Sequence, residues 1–256
     1  MYWIYDIYIW NPSTGFHKKI PLSSFSSNSD IQHYINFYGF GYDQSTDDYL
    51  LVTMSFEDDY PLRPHLEFFS LRANMWKEIG GIQLPYSNIV HDDKPAAGLL
   101  FNGAIHSLAH CSDLPGGYVI VAFDLMEKKL INMHLPDVFD REPMEFGLWV
   151  FGEFLSLWAV CDGDVHGNLM LEVWVMKEYK VNSPWTKTLV LPYDGYSPIC
   201  STKSGDFIGT NGHTALAKYN DQGQLLEHHS YFNNRYGWEV ALYIESMLLL
   251  PDNEQA

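Results

Sequence analysis

The chain has 256 residues, with 15 Lys and Arg against 32 Asp and Glu and a formal charge of −17. A nucleic-acid binder needs a basic face to neutralise phosphates, so this balance argues against DNA or RNA as a partner. No apolar run approaches the ~20 residues of a membrane span, and a 16% share of Phe, Trp and Tyr supplies the bulk that pleated surfaces favour.

The first residues, MYWIYDIYIWNP, carry neither a basic segment nor a small-residue cleavage site, so they read as a strand rather than a signal peptide. They open the first of five similar phrases: an alternating strand, a turn around a polar or glycine residue, and a second strand opening on a large apolar side chain. The phrases start at Ile7, Leu66, Ile120, Leu171 and Ala215. Their second strands open on Phe16, Trp76, Leu130, Trp185 and Leu225, at intervals of 60, 54, 55 and 40 residues. Repeats of about 50 residues in a strand-rich chain point to propeller blades, because a hairpin cannot bury its apolar face without stacking on a neighbour.

Between the first two phrases, Pro21–His33 reads as a long loop. Further strand pairs then complete each unit. In the second unit a polar turn, Asp43–Asp48, separates two strands and is followed by the loop Phe56–His65. In the third, Asn102-Gly103 is a strong hairpin signal between apolar runs, followed by the loop His110–Gly117. The fourth turns near Gly152-Glu153 and leads into the loop Cys161–Asn168; the fifth turns at Ser204–Gly205–Asp206, with a short loop at Thr210. Apolar residues alternate by two almost throughout, and no amphipathic helix is evident. The expected fold is all-β: a propeller-like array of antiparallel four-stranded blades, about five units, over 1–250, with a disordered tail at 251–256. The first unit has only its outer hairpin, so its blade is incomplete. The alternating strand Glu239–Glu245, with Val240, Leu242 and Ile244 on one face, is a candidate to complete it, as are strands of a longer parent chain preceding Met1.

Cys111, Cys161 and Cys200 are few, odd in number and far apart, which suits reduced thiols of an intracellular protein, in the cytoplasm, the nucleus or both. His106 and His110 are four apart, but in a strand pattern they read as packed or hydrogen-bonded histidines rather than zinc ligands. His228 and His229 would point to opposite faces of a strand. The stretch Asp162–Asn168 resembles a calcium loop only faintly, since its twelfth position is Val173 where a bidentate Glu is required. No nucleophile elbow, phosphate-cradling loop or HExxH occurs, and the carboxylate pairs Asp47-Asp48, Asp58-Asp59 and Asp92-Asp93 sit in polar stretches. The expectation is a non-enzyme with no cofactor and no metal.

In a four-stranded antiparallel blade the loops joining strands two and three emerge on one rim, together with the connections between blades. Those loops vary in length and composition on a constant strand plan, and recognition is usually placed there. The candidate partner-binding residues are Asp58, Asp59, Tyr60, Arg63 and His65 in the first loop, Asp113 in the second, and Asp162, Asp164 and His166 in the third. Tyr60, Arg63 and His65 are the residue kinds that make interface hot spots.

The stretches WNPSTG (Trp10–Gly15), YGFGYDQSTDDY (Tyr38–Tyr49), NGAIH (Asn102–His106), VAFDL (Val121–Leu125) and EVWVMKEY with WTK (Glu172–Tyr179 and Trp185–Lys187) resemble, in order, the F-box-associated domain of plant F-box proteins. The resemblance implies the kelch-like, substrate-recruiting half of an SCF-type E3 ubiquitin ligase. The target protein would bind this domain, and the Skp-family adaptor and cullin would be reached only through an F-box missing from these residues. The alternative is a carbohydrate-binding, lectin-like β-domain, because aromatic-rich β-structures can stack sugars on exposed rings.

Overall fold

Twenty short strands and no helix make up the described part of the computed structural model, which covers residues 6–25, 33–57, 64–80, 86–88, 96–111, 117–136, 143–163, 167–179, 184–212 and 214–230. Strands β1 (Tyr8–Trp10) and β2 (His17–Lys19) form a hairpin by themselves. The first blade contains β3 (His33–Asp43), β4 (Asp48–Glu57), β5 (Pro64–Ser70) and β6 (Met75–Glu78). Three short strands follow, β7 (Tyr86–Asn88), β8 (Ala96–Ala97) and β9 (Leu99–Phe101), and the second blade continues with β10 (Ala104–Cys111), β11 (Tyr118–Asp124) and β12 (Lys129–Met133). The third blade is β13 (Glu145–Phe151), β14 (Phe154–Asp162), β15 (Leu169–Met176) and β16 (Trp185–Pro192). The fourth is β17 (Ser197–Ser201), β18 (Phe207–Thr210), β19 (Ala215–Tyr219) and β20 (Leu225–Ser230).

These four antiparallel blades are arranged as a β-propeller. The sequence led us to expect about five units; among the described residues there are four complete blades, and the fifth hairpin phrase, β1–β2, stands as a two-stranded sheet. The strand Glu239–Glu245 and the tail 251–256 lie outside the described residues.

The blades bury apolar faces against one another. Alternate residues of a strand point to opposite faces, so in β10 Ile105, Ala109 and Cys111 pack with Leu50, Val52, Met54, Leu66 and Phe68 of the first blade. The intervening Ala104, with Ile120 and Ala122 of β11, packs with Leu155 and Met176 of the third. Trp149, Leu171 and Val173 then meet Phe207, Ala217 and Tyr219 of the fourth blade. The β1–β2 hairpin lays Ile7, Ile9 and Ile20 on Leu51, Phe69 and Leu71 of the first blade.

The segment from β7 to β9 stitches two blades together. Its ends pair with β10, while β8 crosses to run parallel with β3. Room for the crossing comes from glycine. A Cβ on Gly98 would stand 2.4 Å from Ile105 Cγ2 and 2.5 Å from Phe37 Cε2, and one on Gly39 would stand 2.3 Å from Ile105 Cγ2.

Two indoles repeat one device. Trp76, in the outer strand of the first blade, donates its Nε1–H to the carbonyl of Pro21 just after β2 (2.7 Å). Trp185, in the outer strand of the third blade, donates to the carbonyl of His134 just after β12 (2.8 Å). The hairpin is therefore latched to the first blade as the second blade is latched to the third.

Candidate functional site

Antiparallel alternation puts the links between the first and second and between the third and fourth strands of each blade on one rim, tight turns apart from 177–184, and the links between the second and third strands, with the connections between blades, on the other. The turn rim is satisfied from within. Asn11 Oδ1 accepts from the Ser13 amide, Asp43 Oδ1 from Ser45, Asp124 Oδ1 from Met126 and Glu127, and Asn220 Oδ1 from Gln222 and Gln224, all at 2.8–3.0 Å. Short Asx side chains mimic a backbone turn in this way. The fully buried Asp43 carboxylate also accepts from Ser45 and Thr46 hydroxyls and from Lys128 of the second blade at 2.6 Å. Burial by itself would raise its pKa, but these donors outweigh it and hold the group well below the usual carboxylate range. The stretches WNPSTG, YDQSTDDY and VAFDL thus encode turns, and their chemistry is structural.

The loop rim is built differently, from fixed bases carrying longer excursions. The Cys111 amide donates to Gly117 O (2.6 Å) and the Gly163 amide to Asn168 O (2.8 Å), closing two loops at their roots. Of the candidate partner-binding residues, His65 and Asp162 are described. Asp58, Asp59, Tyr60, Arg63, Asp113, Asp164 and His166 lie outside the described residues. Asp162 is exposed at the end of β14. His65 is half-buried and stacked on Phe25, with centroids 3.6 Å apart and planes at 4°. Its Nε2 lies 3.4 Å from Glu67 Oε2 and its Nδ1 3.6 Å from Glu78 Oε1. Ser55 stands opposite it in the β4–β5 register. Held between Phe25 and these two carboxylates, the ring anchors the root of the first loop.

A second group, where the third and fourth blades meet, escaped the sequence reading. Tyr193 donates its hydroxyl to Glu145 (2.9 Å), Tyr219 donates to Asp194 (2.7 Å), and Tyr196 OH pairs with His228 Nε2 at 2.9 Å. Burial, followed by the hydrogen bond to Asp194, raises the Tyr219 hydroxyl pKa, and burial likewise raises that of Tyr193. The protons therefore stay on the tyrosines, and the two carboxylates are oriented acceptors. The only local signal was the pair of tyrosines flanking Asp194-Gly195 in Tyr193–Tyr196; its partners are remote in sequence.

The other reactive side chains are placed as packing groups. His106 is fully buried; its Nδ1 faces the Leu99 carbonyl (3.2 Å) and its Nε2 accepts from Tyr179 OH (2.7 Å), which sets the Nδ1–H tautomer. Burial lowers its pKa to about 4 and raises that of Tyr179 to about 12. His110 shares its strand face but stands four residues away, roughly 13 Å along a strand. Cys111 and Cys161 are buried, and burial raises the thiol pKa of the half-buried Cys200, the opposite of what a thioester-forming cysteine needs. Among the described residues no group of three or more His, Cys, Asp or Glu is placed to hold a metal ion.

A family model described as the F-box associated beta propeller domain matches residues 2–235. The chain is 26% identical over 187 residues to an F-box/kelch-repeat protein of Arabidopsis thaliana and 29% identical over 203 residues to the F-box protein CPR1 of the same plant. Each match covers 73% of this chain and 48% of the relative, so the chain spans about half the length of the curated relatives it matches.

Proposed function

Since the chain belongs to the F-box associated beta propeller family, we propose that it is the non-catalytic, substrate-recognition module of an SCF-type ubiquitin ligase, holding a target protein for ubiquitination in the cytoplasm or nucleus. The observation that carries this is the asymmetry of the two rims. The turn rim spends its polar groups on its own backbone, whereas the loop rim carries links of four to six residues that differ in composition, two of them closed at their roots by main-chain hydrogen bonds. Variable loops on a rigid scaffold suit recognition. The excess of negative charge favours a basic patch on the target. Contacts with the Skp-family adaptor and cullin fall to an F-box outside these residues.

The carbohydrate reading needs exposed ring faces within the loop rim. The exposed aromatic side chains of the described residues are Tyr8, Trp10, Phe40, Tyr42 and Phe154, on the flank of the first blade and at the turn rim. Affinity capture tests the choice: replacing 58–63 with a Gly/Ser segment abolishes capture of the target, and replacing the exposed turn residue Gln44 with Ala leaves it unchanged. Binding to a glycan array that survives the 58–63 replacement would overturn the proposal.

A further inference from the structure

The face of the first blade that meets the β1–β2 hairpin changes character from one rim to the other. Directly opposed residues of an antiparallel ladder share a face, so the four strands set their side chains in rows. Phe40, Leu51, Phe69 and Trp76 form an apolar row, and the hairpin isoleucines pack on Leu51 and Phe69. The next row towards the loop rim is Tyr38, Thr53, Glu67 and Glu78, and beyond it Ser55 stands opposite His65. These polar groups are as buried as the apolar ones: Thr53 and Ser55 are 1% exposed and Glu67 4%.

Their hydrogen bonds do not close. Thr53 Oγ1 is buried and has no partner, and the Glu67 carboxylate meets a single polar group among the described residues, His65 Nε2 at 3.4 Å. A buried hydroxyl left unpaired carries its whole desolvation penalty, and an under-paired carboxylate carries more. Thr53 and Glu67 are directly opposed, roughly 5 Å apart at Cβ, yet they do not bond each other. One small polar molecule between them satisfies both.

We propose that a water molecule is built into the first blade at this point. It accepts from the Thr53 hydroxyl and donates to the Glu67 carboxylate and to Ser55 Oγ. An internal water makes about three hydrogen bonds, and these side chains supply them from neighbouring positions of one face. The donor set is one carboxylate and two neutral hydroxyls, which suits water rather than a metal ion, and no group of three His, Cys, Asp or Glu among the described residues is placed to hold one. Glu67, bonded in this way, keeps its place beside the His65 ring, on which Phe25 is stacked. The root of the first loop therefore rests on a hydrated polar layer.

A crystal structure of the full chain that resolves ordered solvent tests this directly. A water lies within about 3.2 Å of both Thr53 Oγ1 and a Glu67 carboxylate oxygen. Thr53→Val is the second test, because it keeps the shape of the side chain and removes the hydroxyl. Removing an orphaned hydroxyl leaves stability unchanged or raises it, whereas removing one that holds the water raises the unfolding constant about fivefold or more. Thr53 bonded directly to Glu67, or a metal ion between them, overturns the proposal, as does an unfolding constant in Thr53→Val that is unchanged or lower.

Discussion

His106 shows how one residue ties stability to pH. Its folded pKa of about 4 lies below the ordinary 6.5 because burial disfavours the charged ring. The unfolded chain therefore binds the proton first, and stability falls as pH drops from 6.5 towards 4, by up to about 3 kcal/mol if the shift is realised in full. Denaturant midpoints measured between pH 7 and 5 should show this slope in the wild type and a flatter one in His106→Gln; equal slopes would assign the acid sensitivity to other groups. Gly98 makes a steric prediction at the same scale. A methyl there meets Ile105 and Phe37, both buried in the junction of two blades, so Gly98→Ala should destabilise by about 1–3 kcal/mol. An unchanged melting temperature would mean that the crossing segment moves aside without cost.

At the level of elements, the hairpin phrases were legible because their chemistry is local. Asn102 and Gly103 both adopt positive φ, at 47° and 75°, as a two-residue hairpin turn requires, and the Asx turns at Asn11, Asp43 and Asp124 mark where strands reverse. Of the stitch, β9 was legible as one arm of the Asn102-Gly103 hairpin, whereas β7 and β8 were not: they are three and two residues long, and their partners are the far end of β10 and, across the blade junction, β3. The rims differ in the same way. His65 was found as a loop residue, while its stacking on Phe25 and the carboxylates at its two nitrogens are tertiary, as is the meeting of Glu145 with Tyr193. The indole latches were visible only as large residues opening outer strands; Leu130 and Leu225 occupy the equivalent positions without a donor. Trp185→Phe keeps most of the ring packing and removes the bond to the His134 carbonyl, so it should cost about 1 kcal/mol. Trp185→Ala should cost about 3–5 kcal/mol through lost packing. Equal losses in the two variants would mean that the bond, rather than the packing, does the holding.

For the whole molecule, a row of blades packed face to face makes a scaffold whose interior is given to packing and whose turn rim is closed on itself. What remains for a partner is the loop rim, on a surface with an excess of negative charge. This division explains why the residues that carry the family resemblance tell so little about a target: they build turns and blade contacts, and the loops proposed for recognition lie between them. It also sets what a functional variant must change. Loop substitutions on the fixed roots should alter which protein is bound while leaving the melting temperature within a few degrees, since exposed substitutions away from packed features usually shift stability by about 0.5 kcal/mol or less. The most direct measurement is ubiquitin-remnant profiling in plant cells expressing this chain joined to an F-box, compared with the same fusion carrying scrambled residues 58–63. The account predicts a small set of proteins, enriched in basic surface, whose ubiquitination rises with the intact chain and returns to background with the scrambled loop. Identical profiles from the two fusions would contradict it.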